Sequence, residues 1–106
     1  MNKPTNHWKK RKAESNWVEG SVKDFLQLSD AEMELIETRL AASRLLKSTR
    51  QAHNMTQQVA AAKLHTSQSR LAKMEAGDAS VSLDLLFKSL FSLGVSRKKL
   101  VEVIAA

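Results

Sequence analysis

Apolar residues recur at helical spacing through most of this chain, and polar punctuation divides them into separate runs. Residues 1–20 stand apart. They hold few aliphatics, the only proline (Pro4) and the basic run HWKKRK, and they read as a poorly ordered arm. Trp17-Val18 is the exception within it and is expected to pack onto the body. Val22, Phe25, Leu26 and Leu28 form a short apolar segment of one or two helical turns. Ser29-Asp30-Ala31-Glu32 then fits a capping box, with Ser29 as N-cap and Glu32 reaching back to it. Asp30, Glu32 and Glu34 suit the positive end of a helix. Met33, Ile36, Leu40, Leu45 or Leu46 and Thr49 keep helical period to about His53 without a breaker. That predicts a long first helix of about 24 residues. Its first half extends past the core and offers Leu35, Ile36 and Leu40 to another chain.

Four shorter helices follow. Asn54 suits the left-handed residue that ends a helix. Thr56 caps Gln57 to about Leu64, with Val59, Ala60 and Leu64 on the apolar side. His65-Thr66 makes a turn, and Ser67 caps a third helix through about Ala76, ended by Gly77-Asp78. Ser80 or Ser82 caps a fourth, with Leu83, Leu86, Phe87, Leu90 and Phe91 inward, stopping at Gly94. Ser96 caps a fifth, Arg97 to Ala105, with Leu100, Val103 and Ile104 inward. Alternating runs long enough for a sheet are absent, so the expected class is all-α with short loops. The organisation reads as an arm at 1–20, a lead-in at 21–39 that starts the long helix, and a domain at 40–106.

Composition narrows the function. A chain of 106 residues holds one domain with a modest core. It has no cysteine, which excludes disulfides, thiolate catalysis and cysteine zinc sites and fits a reducing compartment. No apolar run approaches the roughly 18 residues that span a bilayer, and no apolar stretch follows the basic start. A cytoplasmic protein of bacterial or phage origin is expected. The net charge of +6 is unevenly spread. Lys3, Lys9, Lys10, Arg11 and Lys12 face no acid in the arm, and residues 13–38 hold seven acids against Lys23. Residues 39–76 hold Arg39, Arg44, Lys47, Arg50, Lys63, Arg70 and Lys73 against Glu75 alone. A polyanion would meet such a chain in a preferred orientation.

The second and third helices carry the candidate chemistry. Two helices joined by a tight turn need a small residue where they cross, which Ala61 supplies, and apolar residues beneath the second, which Leu64, Leu71 and Met74 supply. The turn position commonly given to glycine holds His65, and histidine tolerates a left-handed backbone better than most residues. A metal or catalytic role for His65 is disfavoured, because only His7 and His53 accompany it and neither is at ligand spacing. Short polar and amide side chains (Ser67, Gln68, Ser69, Arg70) open the third helix, as contact with base edges in a major groove requires.

T-Q-x-x-A-A-x-x-L, then T-S-Q-S-R-L-A-K-M-E-A-G, then S-L-D-L-L-F-K-S-L-F-S-L-G-V-S resembles the Xre/Cro helix-turn-helix family, the group that includes the lambdoid phage repressors. The resemblance covers about Leu40 to Ile104. It implies a five-helix, lambda-repressor-like DNA-binding domain, here with a long first helix and a basic N-terminal arm. It also implies roles. Gln57 contacts a phosphate and braces Gln68, and Gln68 reads adenine. Ser69 and Arg70 follow on the exposed turn, Arg70 for guanine or phosphate. Lys73 reaches a base or the backbone, and Thr66 and Ser67 serve as phosphate or capping contacts. Arg50 and Glu75 match a family pair that locks the motif. Ala76 stands where many members have a polar phosphate contact. A looser likeness of SVKDFLQLSDAEMELIETRLA to HigA-type antitoxins implies a RelE/HigB-like toxin as partner, met by residues 15–40.

These features point to a regulator, most simply a repressor, that binds double-stranded operator DNA as a homodimer, with an autoregulating antitoxin as the sharper form. The alternative is a protein-interaction module that has kept the scaffold and lost specific DNA binding. An enzyme is disfavoured. There is no nucleophile–base set and no glycine-rich phosphate loop, and Asp24, Asp30, Glu32 and Glu34 read as cap and solvated face. Neither cofactor nor metal is implied.

Overall fold

The computed structural model describes residues 29–106. The arm at 1–20, the pair Trp17-Val18 and the apolar segment Val22–Leu28 lie outside these residues. The chain divides into two compact units, Met1–Leu35 and Ile36–Ala106. Among the described residues there are five helices and no strand: α1 (Asp30–Ala52), α2 (Gln57–Lys63), α3 (Gln68–Ala76), α4 (Leu83–Ser92) and α5 (Arg97–Ala105). The fold is all-α.

Every helix starts in the same way. A helix leaves its first N–H groups without partners, and a Ser or Thr oxygen just before it satisfies one of them. Ser29 Oγ accepts from Glu32 N at 3.0 Å while Glu32 Oε1 accepts from Ser29 N at 2.8 Å, which closes the capping box. Thr56, Ser67, Ser82 and Ser96 take the N–H groups of Val59, Arg70, Leu85 and Lys99 at 3.0–3.1 Å. Each such cap is worth about 1 kcal/mol. Ser82 rather than Ser80 caps α4, because the helix begins at Leu83 and Ser80 lies two residues further back, in a turn where its N–H is bound to Asp78 Oδ1 at 2.8 Å.

The first four helices also end alike. Asn54, His65, Gly77 and Gly94 all have positive φ, of 57°, 57°, 75° and 96°. The residue after each returns its N–H to a carbonyl five positions back: Met55 to Arg50, Thr66 to Ala61, Asp78 to Lys73 and Val95 to Leu90. This closure satisfies carbonyls that the helix itself leaves open. Two of the four positions are not glycine, and Asn54 and His65 are among the few residue types that accept this backbone region at modest cost.

The core of the second unit is built from Ala42, Leu45, Leu46, Ala60, Ala61, Leu71, Met74, Val81, Leu86, Leu90, Leu93 and Leu100. Two residues expected inside are not. Val59 is 54% and Phe91 44% exposed. α2 packs through Ala60 and Ala61, whose small side chains bury only a narrow stripe, so Val59 falls outside it. On α4 the buried arc centres on Leu86, Ser89 and Leu90. Phe91 lies about 140° round the helix from Leu86, beyond the reach of a single packed layer. Of the residues expected to leave the core along α1, Leu35 and Ile36 are exposed, but Leu40 is half-buried and lies against Gly77. One buried hydroxyl, Ser43 Oγ, has no hydrogen-bond partner, a locally unfavourable arrangement.

A side chain at Gly77 would put its Cβ 2.7 Å from Leu40 Cδ2, on a backbone already at positive φ, whereas a Cβ at Gly94 meets nothing within 4 Å. Gly77→Ala is therefore expected to lower stability by about 1–2 kcal/mol, and more than Gly94→Ala. Urea denaturation of both variants checks this, and equal losses would count against the role given to Leu40.

Candidate nucleic-acid interface

α3 divides sharply between an anchored side and an open one. Leu71 and Met74 are fully buried, and Glu75 turns inward with a side chain only 3% exposed. With about 100° of turn per residue, Ser69, Ala72, Ala76 and Lys73 fall on the opposite arc, and Gln68, in the first turn, stands at its margin on the Glu75 side. All but half-buried Ala72 are exposed. Arg70 is exposed at the margin of this arc, and Ser67 is exposed at its start. Thr66 is half-buried in the turn, its N–H held by Ala61. The sequence thus places Gln68, Ser69, Arg70 and Lys73 on one continuous surface at the start and outer side of a helix. Ala72 and Ala76 add no polar group, so the later half of the arc carries Lys73 alone.

The position of α3 is fixed from behind. Glu75 accepts from Arg50 Nε at 2.6 Å, from Arg50 Nη2 at 3.0 Å and from Gln57 Nε2 at 3.1 Å. Arg50 Nη1 donates to the Met55 carbonyl at 2.9 Å. One carboxylate therefore joins the end of α1, the turn after it, the start of α2 and the end of α3. The two-pronged geometry is the strong form of an arginine–carboxylate contact. Hydrogen bonding to Glu75 raises the Arg50 pKa above its ordinary value, outweighing the opposing effect of burial. Arg50 is thus held in its charged form. Gln57, half-buried, gives an amide N–H to Glu75, where the resemblance implies a bond to Gln68.

This pairing also shapes the charge that faces outward. Glu75 is the single acid between residues 39 and 76, and it is buried against Arg50. Arg44, Lys47, Lys63, Arg70 and Lys73 are exposed, so the outward charge of this segment is positive throughout. The sequence pattern did not point to one further tie. Arg39 Nε donates to the Val81 carbonyl at 3.2 Å and pins the loop between α3 and α4 to α1. Its only signal was an arginine on the inner side of the long helix. Among the described residues, no group of His, Asp or Glu is arranged to hold a metal, and no helix is long and apolar enough to cross a membrane.

A family model described as Helix-turn-helix matches residues 46–100, just over half of the chain and the whole of α2, α3 and α4. No curated protein and no solved structure matches.

Burying one charge of a pair without the other is costly, while replacing both by apolar groups costs little. Glu75→Leu is expected to destabilise the fold by about 3 kcal/mol, and Arg50→Met with Glu75→Leu together should recover much of that loss. A double-mutant cycle from urea denaturation reads the coupling. A double variant no more stable than Glu75→Leu would remove the claim that the pair acts as one unit.

Proposed function

The chain belongs to the Xre/Cro-like helix-turn-helix family, and from that premise we propose that it is a transcriptional repressor whose α3 reads operator DNA in the major groove, acting as a homodimer. The family is one of DNA-binding regulators and is not typically enzymatic. The observation that carries the finer reading is the division of α3. Gln68, Ser69, Arg70 and Lys73 are open at its first turn and outer side, while Leu71, Met74 and the Glu75–Arg50–Gln57 bonds hold it from behind.

The residues take separable roles. Gln68 reads a base, since a glutamine amide matches the donor and acceptor of adenine. Ser69 and Arg70 contact base or phosphate beside it. Lys73 holds the backbone from one turn further along. Ser67, Thr66 and the N-terminus of α3 face phosphate, where free N–H groups and the helix dipole favour an anion. Gln57 reaches phosphate with the amide hydrogen that Glu75 leaves. A single short helix reads few base pairs, so two copies on half-sites about one helical turn apart supply useful affinity.

Fluorescence anisotropy with promoter DNA and with random DNA of equal length tests this. Gln68→Ala is expected to lose about 1–3 kcal/mol of preference for the operator with the fold intact by circular dichroism. Lys73→Ala should weaken binding to both DNAs and reduce the salt dependence by about one ion. A wild-type protein that binds both DNAs equally would instead favour the interaction-module reading.

The antitoxin form of this function rests on the acidic start of α1, where Asp30, Glu32, Glu34 and Glu37 suit a basic ribonuclease. Most of the surface it assigns to that partner, residues 15–28 of 15–40, lies outside the described residues. Co-purification with the product of the neighbouring gene checks it, and a neighbour that does not bind removes the toxin.

A further inference from the structure

The DNA reading leaves one large surface of the second unit unused, the outer side of α1 where α5 lies beside it. An open groove of about 650 Å³ runs there. Ala41, Leu45, Ala52 and Val103 give it an apolar floor, and Arg44 and Lys99 stand exposed at its rim. A groove of this kind fits a helix with small or apolar residues on one side and carboxylates along its edge.

This chain contains such a helix in α1 itself. Residues 37, 41, 44 and 48 are spaced three and four apart and share one face. Glu37 lies one turn before Ala41 and Arg44 one turn after it. Both are exposed, and neither has an ion-pair partner within the described residues. An isologous contact requires a patch that carries its own complement, and this stripe does so: acidic before Ala41, basic after it.

The geometry points to a second copy of this chain as the occupant, its α1 lying antiparallel in the groove about a two-fold axis at Ala41. Reversal sets Glu37 of each copy against Arg44 of the other, so the same ion pair forms twice. Lys99 adds a second cation beside each incoming carboxylate. Ala41 at the crossing lets the two backbones approach closely. The surface is not the one suggested by Leu35 and Ile36, since Ile36 lies about 140° round the helix from Ala41. The proposal deepens the homodimer part of the function above, on which its biological use rests, by naming the surface.

The full chain has no cysteine, so one introduced thiol reports on one contact. Diamide oxidation of Ala41→Cys is expected to give a covalent dimer as the main product, while Val101→Cys, on an exposed position of α5, stays monomeric. In sedimentation equilibrium, Glu37→Arg and Arg44→Glu should each raise the dimer dissociation constant by about tenfold or more. The double variant should return close to wild type, a recovery that a general loss of structure would not produce. Three results each overturn the proposal: a wild-type chain still monomeric at about 100 μM, single charge reversals that leave the dimer unchanged, or Val101→Cys cross-linking as readily as Ala41→Cys. Operator binding is measured on the same samples. A wild-type chain that dimerises through Ala41 and ignores operator sinks the DNA reading and leaves this contact standing.

Discussion

The placement of α3 depends on the carboxylate of Glu75 as much as on the buried side chains of Leu71 and Met74. A buried carboxylate is tolerated only when its oxygens are satisfied and its charge is met, and here three N–H groups from two residues do both. The constraint works in both directions. The ion needs Arg50 and Gln57 where they are, and their positions set the end of α1 and the start of α2 relative to α3. The most extensive helix-to-helix contact among the described residues, α2 against α3, therefore rests on alanine packing on one side and on this charge cluster on the other. It also removes the single acid of the segment from the outer surface, so one set of bonds serves geometry and electrostatics together.

Most of the fold was legible in the sequence because helix ends are local chemistry. A Ser or Thr oxygen meets an N–H three residues ahead, and a left-handed residue closes a carbonyl behind it, so Thr56, Ser67, Ser96, Asn54 and Gly94 could be read without knowing the tertiary structure. Where two locally plausible caps competed, at Ser80 and Ser82, the sequence could not choose. The answer lay in where the helix begins, since a start at Leu83 puts Ser82 at the cap and leaves Ser80 in the preceding turn. Val59 and Phe91 were misplaced for a different reason. Hydrophobic period gives the direction of a face but not its width, and a helix that packs through alanines buries less of its circumference than one that packs through leucines.

The site was legible to a similar depth. Exposure of Ser69 and Lys73 follows from burying Leu71 and Met74, since a helix that commits one side to the core must present the other, while Gln68 and Arg70 are open at the margins of the first turn. The partners of Gln57 and Arg39 were not legible. They lie 18 and 42 residues away in the chain, and no spacing rule reaches that far. The charge division of α1 was visible from the start, but it acquired meaning only when the groove beside α5 showed which of its faces remains open.

The connections between the helices are short: four residues at 53–56, four at 64–67, six at 77–82 and four at 93–96. Closing loops of that size costs little chain entropy, and the most extensive helix contact, α2 against α3, joins neighbours in sequence. Such a topology belongs to the rapid end of folding kinetics, with bundles of this kind assembling in microseconds to milliseconds. The regularly repeated caps thus have an effect in time as well as in stability. Each turn is set by its own few residues before the distant bonds at Glu75 and Val81 close over it, and the chain spends little time with its apolar faces open to other molecules.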